Sequence, residues 1–382
     1  MRSDLIAEIN TDSLAHNLRA LRARCAPGVR LCAPLKADAY GHGVGVVAKA
    51  LQAAGAVDYA AAATLDEAVE LRGLGWGPPI LLLGNVLAVA DDRERRERID
   101  AIVDHDLTVT IVDLDTPRLI AAAEPRRRIR VHVKLDSGMG RMGEMPERIV
   151  ELVRSVRRAA CLELTGFYSH FATADFADRD LVGRQLATFN RVLESVRKDL
   201  PPGVIRHLAN SAATISLSAS HFDMVRPGLA LYGYLPADHL SSLIDLRPIL
   251  RLCSHLTAVK DLPAGHCVGY GQMFTTKRPT RLGIIPVGYF DGYLRSLSSQ
   301  AIVGTASGDA PVIGRISMDQ MAIDLTNLPR LRPGAEVTLI DDRADRPNSV
   351  AAVARRLGTI PYEVTCLLGS RIDRVAIGSF CA

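Results

Sequence analysis

From about residue 11 to residue 240 the chain alternates short, apolar runs with longer amphipathic segments. This strand-then-helix rhythm constrains the fold more than any other feature. Candidate strands occupy residues 29–35, 59–63, 80–83, 107–112, 130–135, 162–169, 205–209 and 224–228, separated by amphipathic segments such as 64–74 and 178–198. Strands joined through helices pair in parallel, and eight such units fit a closed (β/α)8 TIM-type barrel better than a doubly wound open sheet, which usually has fewer strands. Asp12 is placed to cap a first helix reaching about residue 24.

After Tyr234 the texture changes. Short β-rich runs at 248–261, 266–276, 282–287, 301–305, 310–313, 321–325 and 336–340 are broken by Gly and Pro, which predicts a second, mostly β domain. Residues 349–357 predict a helix before a closing strand. The expected division is a barrel over 11–240 and a β-rich domain over 241–382.

Composition narrows the classes. At 382 residues, 48% hydrophobic and 23% charged, the chain is an ordinary globular protein with room for two domains. Its formal charge of +4 comes from 46 basic and 42 acidic residues with no long basic block, which argues against a nucleic-acid surface. The one dense charge run, 91–98, mixes both signs and reads as a solvated helix face. The opening M-R-S-D-L-I-A-E-I-N lacks an apolar signal core, and no stretch approaches the roughly 20 apolar residues of a membrane span, so a cytoplasmic location is expected. Cys25, Cys32, Cys161, Cys253, Cys267, Cys366 and Cys381 form no C-x-x-C pair or metal-like cluster. Reduced, mostly buried cysteines and no metal site are expected.

The stretch from Leu31 to Gly43, L-C-A-P-L-K-A-D-A-Y-G-H-G, delivers Lys36 to the carboxyl end of the first candidate strand. Tyr40-Gly41-His42-Gly43 is loop chemistry. In parallel α/β folds that edge is where ligands bind. By itself the pattern reads more readily as a solvated lysine at a strand end.

Further strings follow in order: V-K-L-D-S-G-M-G-R-M-G from Val133, Y-S-H-F-A-T-A-D from Tyr168, H-L-A-N-S-A-A-T from His207, M-V-R-P-G-L-A-L-Y-G from Met224, V-G-Y-G from Val268, P-V-G-Y-F-D-G from Pro286 and G-R-I-S-M-D-Q from Gly314. Together with K-A-D-A-Y-G-H-G they resemble the signature of the alanine racemase family over nearly the whole chain. The resemblance implies a barrel that binds pyridoxal 5'-phosphate (PLP), followed by a β-rich domain. The first ten residues would join that second domain, with 6–9 as one of its strands.

A racemase removes an α-proton from one face of an amino acid and returns one to the other, which PLP makes feasible by delocalising the carbanion. By resemblance, Lys36 carries PLP as a Schiff base and serves one face, and Tyr270 serves the other. A free phenol titrates near pH 10, so a tyrosine base needs positive charge or hydrogen bonds nearby. His170 and Arg226 match the family residues that supply them. Arg226 also matches the arginine facing the pyridine nitrogen. A guanidinium cannot give up a proton there, so the ring nitrogen stays unprotonated and transamination is limited. For the phosphate, the resemblance points to the hydroxyls of Tyr40 and Ser211 and the N–H groups of Ser211, Gly228 and Leu229. Asn210-Ser211 and Pro227-Gly228 form short anion-binding turns. Arg141 matches an arginine near the substrate carboxylate. Lys134 matches a lysine carbamylated in many members, whose carbamate holds Arg141. Met318 and Asp319 match a substrate-site pair, with the Met318 N–H on the carboxylate.

One departure is expected. Where many members carry a tyrosine near the phosphate, the aligned position reads as Ser370, which would remove a hydroxyl and loosen specificity for alanine. The reading is an alanine racemase acting as a homodimer with shared sites. The alternatives are a racemase of broader scope accepting serine, a PLP-binding protein with little turnover, and a decarboxylase of the same architecture. The second of these resembles the barrel alone, and the decarboxylases place other motifs around their lysine.

Overall fold

The computed structural model describes residues 4–328 and 330–379. Eight parallel strands close into a barrel: β2 (Arg30–Pro34), β3 (Tyr59–Ala62), β4 (Ile80–Leu82), β5 (Leu107–Ile111), β6 (Ile129–Lys134), β7 (Leu162–Tyr168), β8 (Ile205–His207) and β9 (Met224–Val225), with β9 returning to pair with β2. All eight expected strands are present. They end one to three residues short of the expected limits at all eight carboxyl ends, where the backbone leaves the ladder to form turns.

Parallel strands in a barrel are buried on both faces, and alternate residues divide between them. Leu31, Ala33, Val109, Ile111, Val131 and Val133 join the large core under the surrounding helices. Cys32, Tyr59, Ala61, Ile205 and Met224 form a separate apolar plug inside the barrel. In β7 the phase changes midway. Val131 pairs with Leu164 and His132 pairs with Gly166, so Thr165 is an extra residue, a β-bulge. Leu164 and Phe167 therefore both face the helices, while Gly166 and Tyr168 turn inward. Gly166 is required there, since a Cβ would sit 2.4 Å from the His132 ring.

The second domain is a nine-stranded sheet in the order β11 (Ala258–Leu262), β14 (Thr280–Ile285), β17 (Met321–Asp324), β16 (Gly308–Ile313), β15 (Ile302–Thr305), β18 (Glu336–Ile340), β10 (Leu250–His255), β1 (Ile6–Asn10) and β19 (Asp373–Ile377). The run 248–261 is thus two strands, β10 and β11, at separate places in the sheet. The run 266–276 is a hairpin of β12 (Cys267–Val268) and β13 (Phe274–Thr275) with Tyr270 at its tip. β1 sits between β10 and β19, so the chain starts in the second domain before entering the barrel.

Three local expectations need correction. Helix Thr11–Ala23 is capped by Asn10, whose Oδ1 accepts from Ser13 N at 2.9 Å, because β1 runs directly into the helix. Asp12 lies in its first turn and accepts from Ser379 N at 3.0 Å instead. A helix at Pro361–Cys366 was not anticipated, although Pro at its first position is a start signal. Of the six described cysteines, all free, only Cys32 and Cys253 are buried, and Cys366 is exposed at the end of that short helix. Cys381 lies outside the described residues. No helix among the described residues is long and apolar enough to cross a membrane.

Candidate active site

Lys36 does not enter a flexible loop. Ala37, Asp38, Ala39 and Tyr40 all have φ between +51° and +57°, a left-handed helical turn that costs non-glycine residues roughly 1–2 kcal/mol each. The surroundings over-determine it. Glu67 caps its own helix and also accepts from Ala37 N at 2.8 Å. The Asp38 carboxylate accepts from Val44 N at 2.7 Å and meets Arg374 at 3.4 Å. His42 Nδ1 bonds Ala39 O at 2.9 Å, and its ring stacks on Tyr232. Gly41, at φ +80°, lies so close to Thr365 O that a Cβ would be 1.9 Å from it. The turn that presents Lys36 is thereby locked against the second domain.

Lys36 opens into a pocket of about 680 Å³ at the carboxyl edge of the barrel, lined also by Tyr40, Lys134, Arg141, His170, Asn210, Ser211, Arg226, Gly228, Leu229 and Tyr362. Four cations line it against one acidic side chain, Asp175, and none of the four makes an ion pair among the described residues. Buried charge without a partner is costly, so such a cavity favours an anionic ligand. Lys134, 6% exposed, stands 5.4 Å from the Tyr168 ring centroid. Burial, with Arg226 and Arg141 adding to it, pushes its amine down to about 8. Neighbouring Asp136 is held in a turn of N–H groups from Gly138 and Met139, both at 2.8 Å, and stays ionised.

Beneath the pocket Arg226 is buried. Its guanidinium donates to Ser169 O at 2.8 Å, to His207 Nδ1 at 2.5 Å and to His170 Nδ1 at 3.3 Å. Burial, reinforced by Arg226, holds His170 and His207 far below the usual imidazole range, so both are neutral acceptors for it. His207 Nε2 continues to His132 Nδ1 at 2.9 Å, and the Tyr168 hydroxyl meets Thr110 Oγ1 at 2.8 Å. His170 and Arg226 were expected together. His207, His132 and Tyr168 were missed as a set, although each carries a polar or aromatic group into a barrel interior, where apolar branched residues are the norm.

A cradle forms at the Asn210 and Gly228 turns. Asn210 caps helix Ser211–Ser216, and Ser211 Oγ accepts from Ala230 N at 3.2 Å. The N–H groups of Ser211, Gly228 and Leu229 have no acceptor among the described residues. A Cβ on Gly228 would lie 2.6 Å from the Tyr40 hydroxyl, so only glycine leaves that corner open. Tyr362 completes it. Its ring centroid lies 5.7 Å from that of Tyr40, and Ser211 beside its hydroxyl partly offsets the upward push of burial on the phenol. The tyrosine expected to be missing is therefore present, carried by the unanticipated helix. Ser370, exposed and outside the pocket lining, does not occupy that position. The motif I-P-Y-E-V, with its helix-starting proline, is the signal that could have located it.

Tyr270, Met318 and Asp319 do not join this pocket within one chain. Tyr270 is 70% exposed and lines a different groove, of about 420 Å³, with Arg315, Ser317 and Met321. Met318 is 50% exposed, and Asp319 is held by Arg371 at 2.9 Å.

The chain matches models of the alanine racemase N-terminal domain over residues 9–236 and of the alanine racemase C-terminal domain over residues 249–376. It is 39% identical to an alanine racemase of Desulfovibrio desulfuricans, covering 97% of each chain, and 38% identical to one of Synechocystis sp., covering 97% of this chain and 98% of the relative. Among solved structures it superposes on alanine racemase from D-cycloserine-producing Streptomyces lavendulae with a TM-score of 0.90, 34% identity and coverage of 99% and 98%. On alanine racemase from Clostridium difficile 630 the TM-score is 0.91 at 32% identity, with coverage of 99% and 96%.

Burial of Lys134 has a measurable consequence. With the folded value near 8 and the unfolded one near 10.5, the unfolded chain binds more protons between them, so this contribution to stability rises with pH across that window. Below about pH 8 the penalty is present in full. In buffer free of carbon dioxide, Lys134→Met should unfold at higher denaturant than the parent chain at pH 7, with the gap closing toward pH 10. A gap that stays constant with pH would contradict the buried-amine account.

Proposed function

Because this chain belongs to the alanine racemase family, we propose that it interconverts L- and D-alanine with PLP held on Lys36, in a homodimer whose sites combine residues of two copies. The observation that carries this reading is the convergence of Lys36, three further cations without an ion pair among the described residues, and an open anion cradle in one pocket. The donors fit the group: the Ser211, Gly228 and Leu229 N–H groups and the Tyr40, Ser211 and Tyr362 hydroxyls for its phosphate, and Arg226 for its ring nitrogen. Bound, PLP supplies the electron sink that makes the α-proton removable.

The remaining work falls to the chain. Arg226 donates to the ring nitrogen but has no proton to surrender at the pH of turnover. Arg141 and the Met318 N–H hold the substrate carboxylate. Lys36 Nζ and Tyr270 Oη move protons at opposite faces, Tyr270 on the L-enantiomer. Arg226 lends it positive charge across the subunit boundary, relayed through the neutral His170 that accepts from the guanidinium. Tyr270, Met273, Phe290 and Met318 are all more than half or just half exposed, an apolar surface that fits burial against a second copy. With Tyr362 in the cradle there is no reason to expect a roomier pocket, and alanine is the substrate assigned over serine. The free cysteines fit a cytoplasmic site of action, which cell fractionation would check.

Lys134 is read as the acceptor of carbon dioxide. Its neutral amine, available near pH 8, forms an N–C bond and releases a proton, leaving a carbamate anion beside Arg141 and Arg226. Labelled ¹³C-bicarbonate should give a carbamate carbon resonance that Lys134→Met lacks; a resonance present in both would remove the assignment.

Purified protein with PLP should convert L-alanine to D-alanine on chiral chromatography. Lys36→Ala and Tyr270→Phe should each be inactive, and mixing them should restore part of the activity through heterodimers with one intact site. No recovery despite demonstrated subunit exchange would mean that the sites are not shared. A sharper test separates the two faces. Loss of a well-placed acid/base group costs about 10²- to 10⁴-fold. In Tyr270→Phe, deuterium exchange at the α-carbon should therefore survive far better from D-alanine than from L-alanine, and equal loss from both would make Tyr270 a positioning group.

A further inference from the structure

We infer that His207 and His132 are positioning residues that fix the direction of every hydrogen bond beneath Arg226 and so hold its guanidinium edge toward the pocket. The functional half of this inference rests on the PLP reading above; the hydrogen-bond half stands without it.

The direction follows from donor chemistry. A guanidinium carries only donors, so His207 Nδ1, 2.5 Å from Arg226, must be the acceptor. A neutral imidazole that accepts at Nδ1 carries its hydrogen on Nε2. That N–H faces His132 Nδ1 at 2.9 Å, which must in turn accept, leaving the hydrogen of His132 on its own Nε2. Any other tautomer pair sets two N–H groups or two lone pairs against each other. One permanent cation therefore dictates the protonation of two rings in series, and each bond polarises the next.

The surrounding packing is built for this pair. The His207 ring stacks on Tyr168 at 4.5 Å and 6°, and the Arg226 guanidinium lies 5.1 Å over the same ring. Gly166 leaves the space that the His132 ring fills. Arg226 has no carboxylate partner among the described residues, so His207 is the side chain that orients its NH1 edge.

The chain of bonds runs no further than the second histidine. It ends in His132 Nε2–H, fully buried with no acceptor among the described residues. Thr108 Oγ1, inward on β5 two residues before the Thr110 that pairs with His132, is likewise buried without a partner. No protein group on the far side of His132 therefore competes for its Nδ1 lone pair, which is left to His207.

Nitrogen-15 NMR of histidine-labelled full chain, with and without PLP, tests the direction. Both residues should report hydrogen on Nε2 and none on Nδ1, unchanged from about pH 6 to pH 9. Hydrogen on Nδ1 of His207, or titration of either ring in that range, overturns the inference. For the positioning role, His132→Phe removes the acceptor, whereas the Oδ1 of His132→Asn can stand in for Nδ1. PLP affinity should fall roughly three- to tenfold in His132→Phe and return to within about twofold of the parent in His132→Asn. The pH dependence of the bound cofactor's visible absorbance should shift in the first variant alone. Equal PLP affinity in both variants, or a loss that tracks lowered stability, overturns the role. Should His132→Phe fail to fold, the NMR measurement on the unaltered chain still decides. A parent chain that binds no PLP would sink the cofactor reading while leaving the tautomers to stand or fall separately.

Discussion

The arrangement of the pocket depends on a buried positive charge that the protein itself leaves uncompensated. Arg226 sits inside the barrel with carbonyls and neutral histidines around it and no carboxylate partner among the described residues, and Lys36, Lys134 and Arg141 open into the same space. Isolated cations in a low-dielectric site carry a large desolvation cost. The protein reduces it by donating guanidinium N–H groups to oriented acceptors and by lowering the proton affinity of Lys134 and the nearby imidazoles. The remainder is a standing preference for an anion, which is what a phosphate and a carboxylate would satisfy.

Holding that site together takes both domains. The barrel contributes a strained left-handed turn, which persists because Glu67 binds its backbone at Ala37 N, Asp38 ties it to the following helix at Val44 N, and Arg374, from β19, bonds Gly41 O at 3.0 Å. Helix Pro361–Cys366 leaves no room for a side chain at Gly41 and carries Tyr362 to Ser211. The N-terminal strand sits inside the second domain's sheet, between β10 and β19, so the barrel is tethered at both chain ends. The second domain is thus part of the wall of the pocket, while its own exposed hairpin and Met318 face elsewhere.

Much of this was legible because it is local. Hydrophobic periodicity marks all eight barrel strands, and each misses its boundary by only a few residues because strand ends are set by where the turn must begin. The texture change after Tyr234 separates the β domain for the same reason: short runs broken by Gly and Pro cannot form barrel helices. What failed was cap chemistry and helix detection over short spans. Asp12 and Asn10 are equally good capping types, and only the direct entry of β1 into the helix selects Asn10. Helix Pro361–Cys366 spans six residues, too few for a 3.6-residue period to stand out, and missing it led the tyrosine of the cradle to be sought at Ser370.

The family resemblance supplied the cradle residues other than Tyr362. By itself, then, the sequence determined the barrel, the β domain and the identity of Lys36 as the residue at a strand's carboxyl end. These follow from side-chain period, turn chemistry and residue type, which are properties of neighbours along the chain. Tertiary structure alone decided the rest. The bulge at Thr165 reverses the inward phase of β7, so that Tyr168 meets His207, a pairing that no two-residue alternation contains. It was the closure of β9 onto β2 that placed Arg226 near Lys36 and gave the histidines their direction, and the folding of the second domain that left Tyr270 on an outer face. Each depends on groups far apart in the chain sharing one buried space, where excluded volume and unpaired hydrogen-bonding groups select a single arrangement.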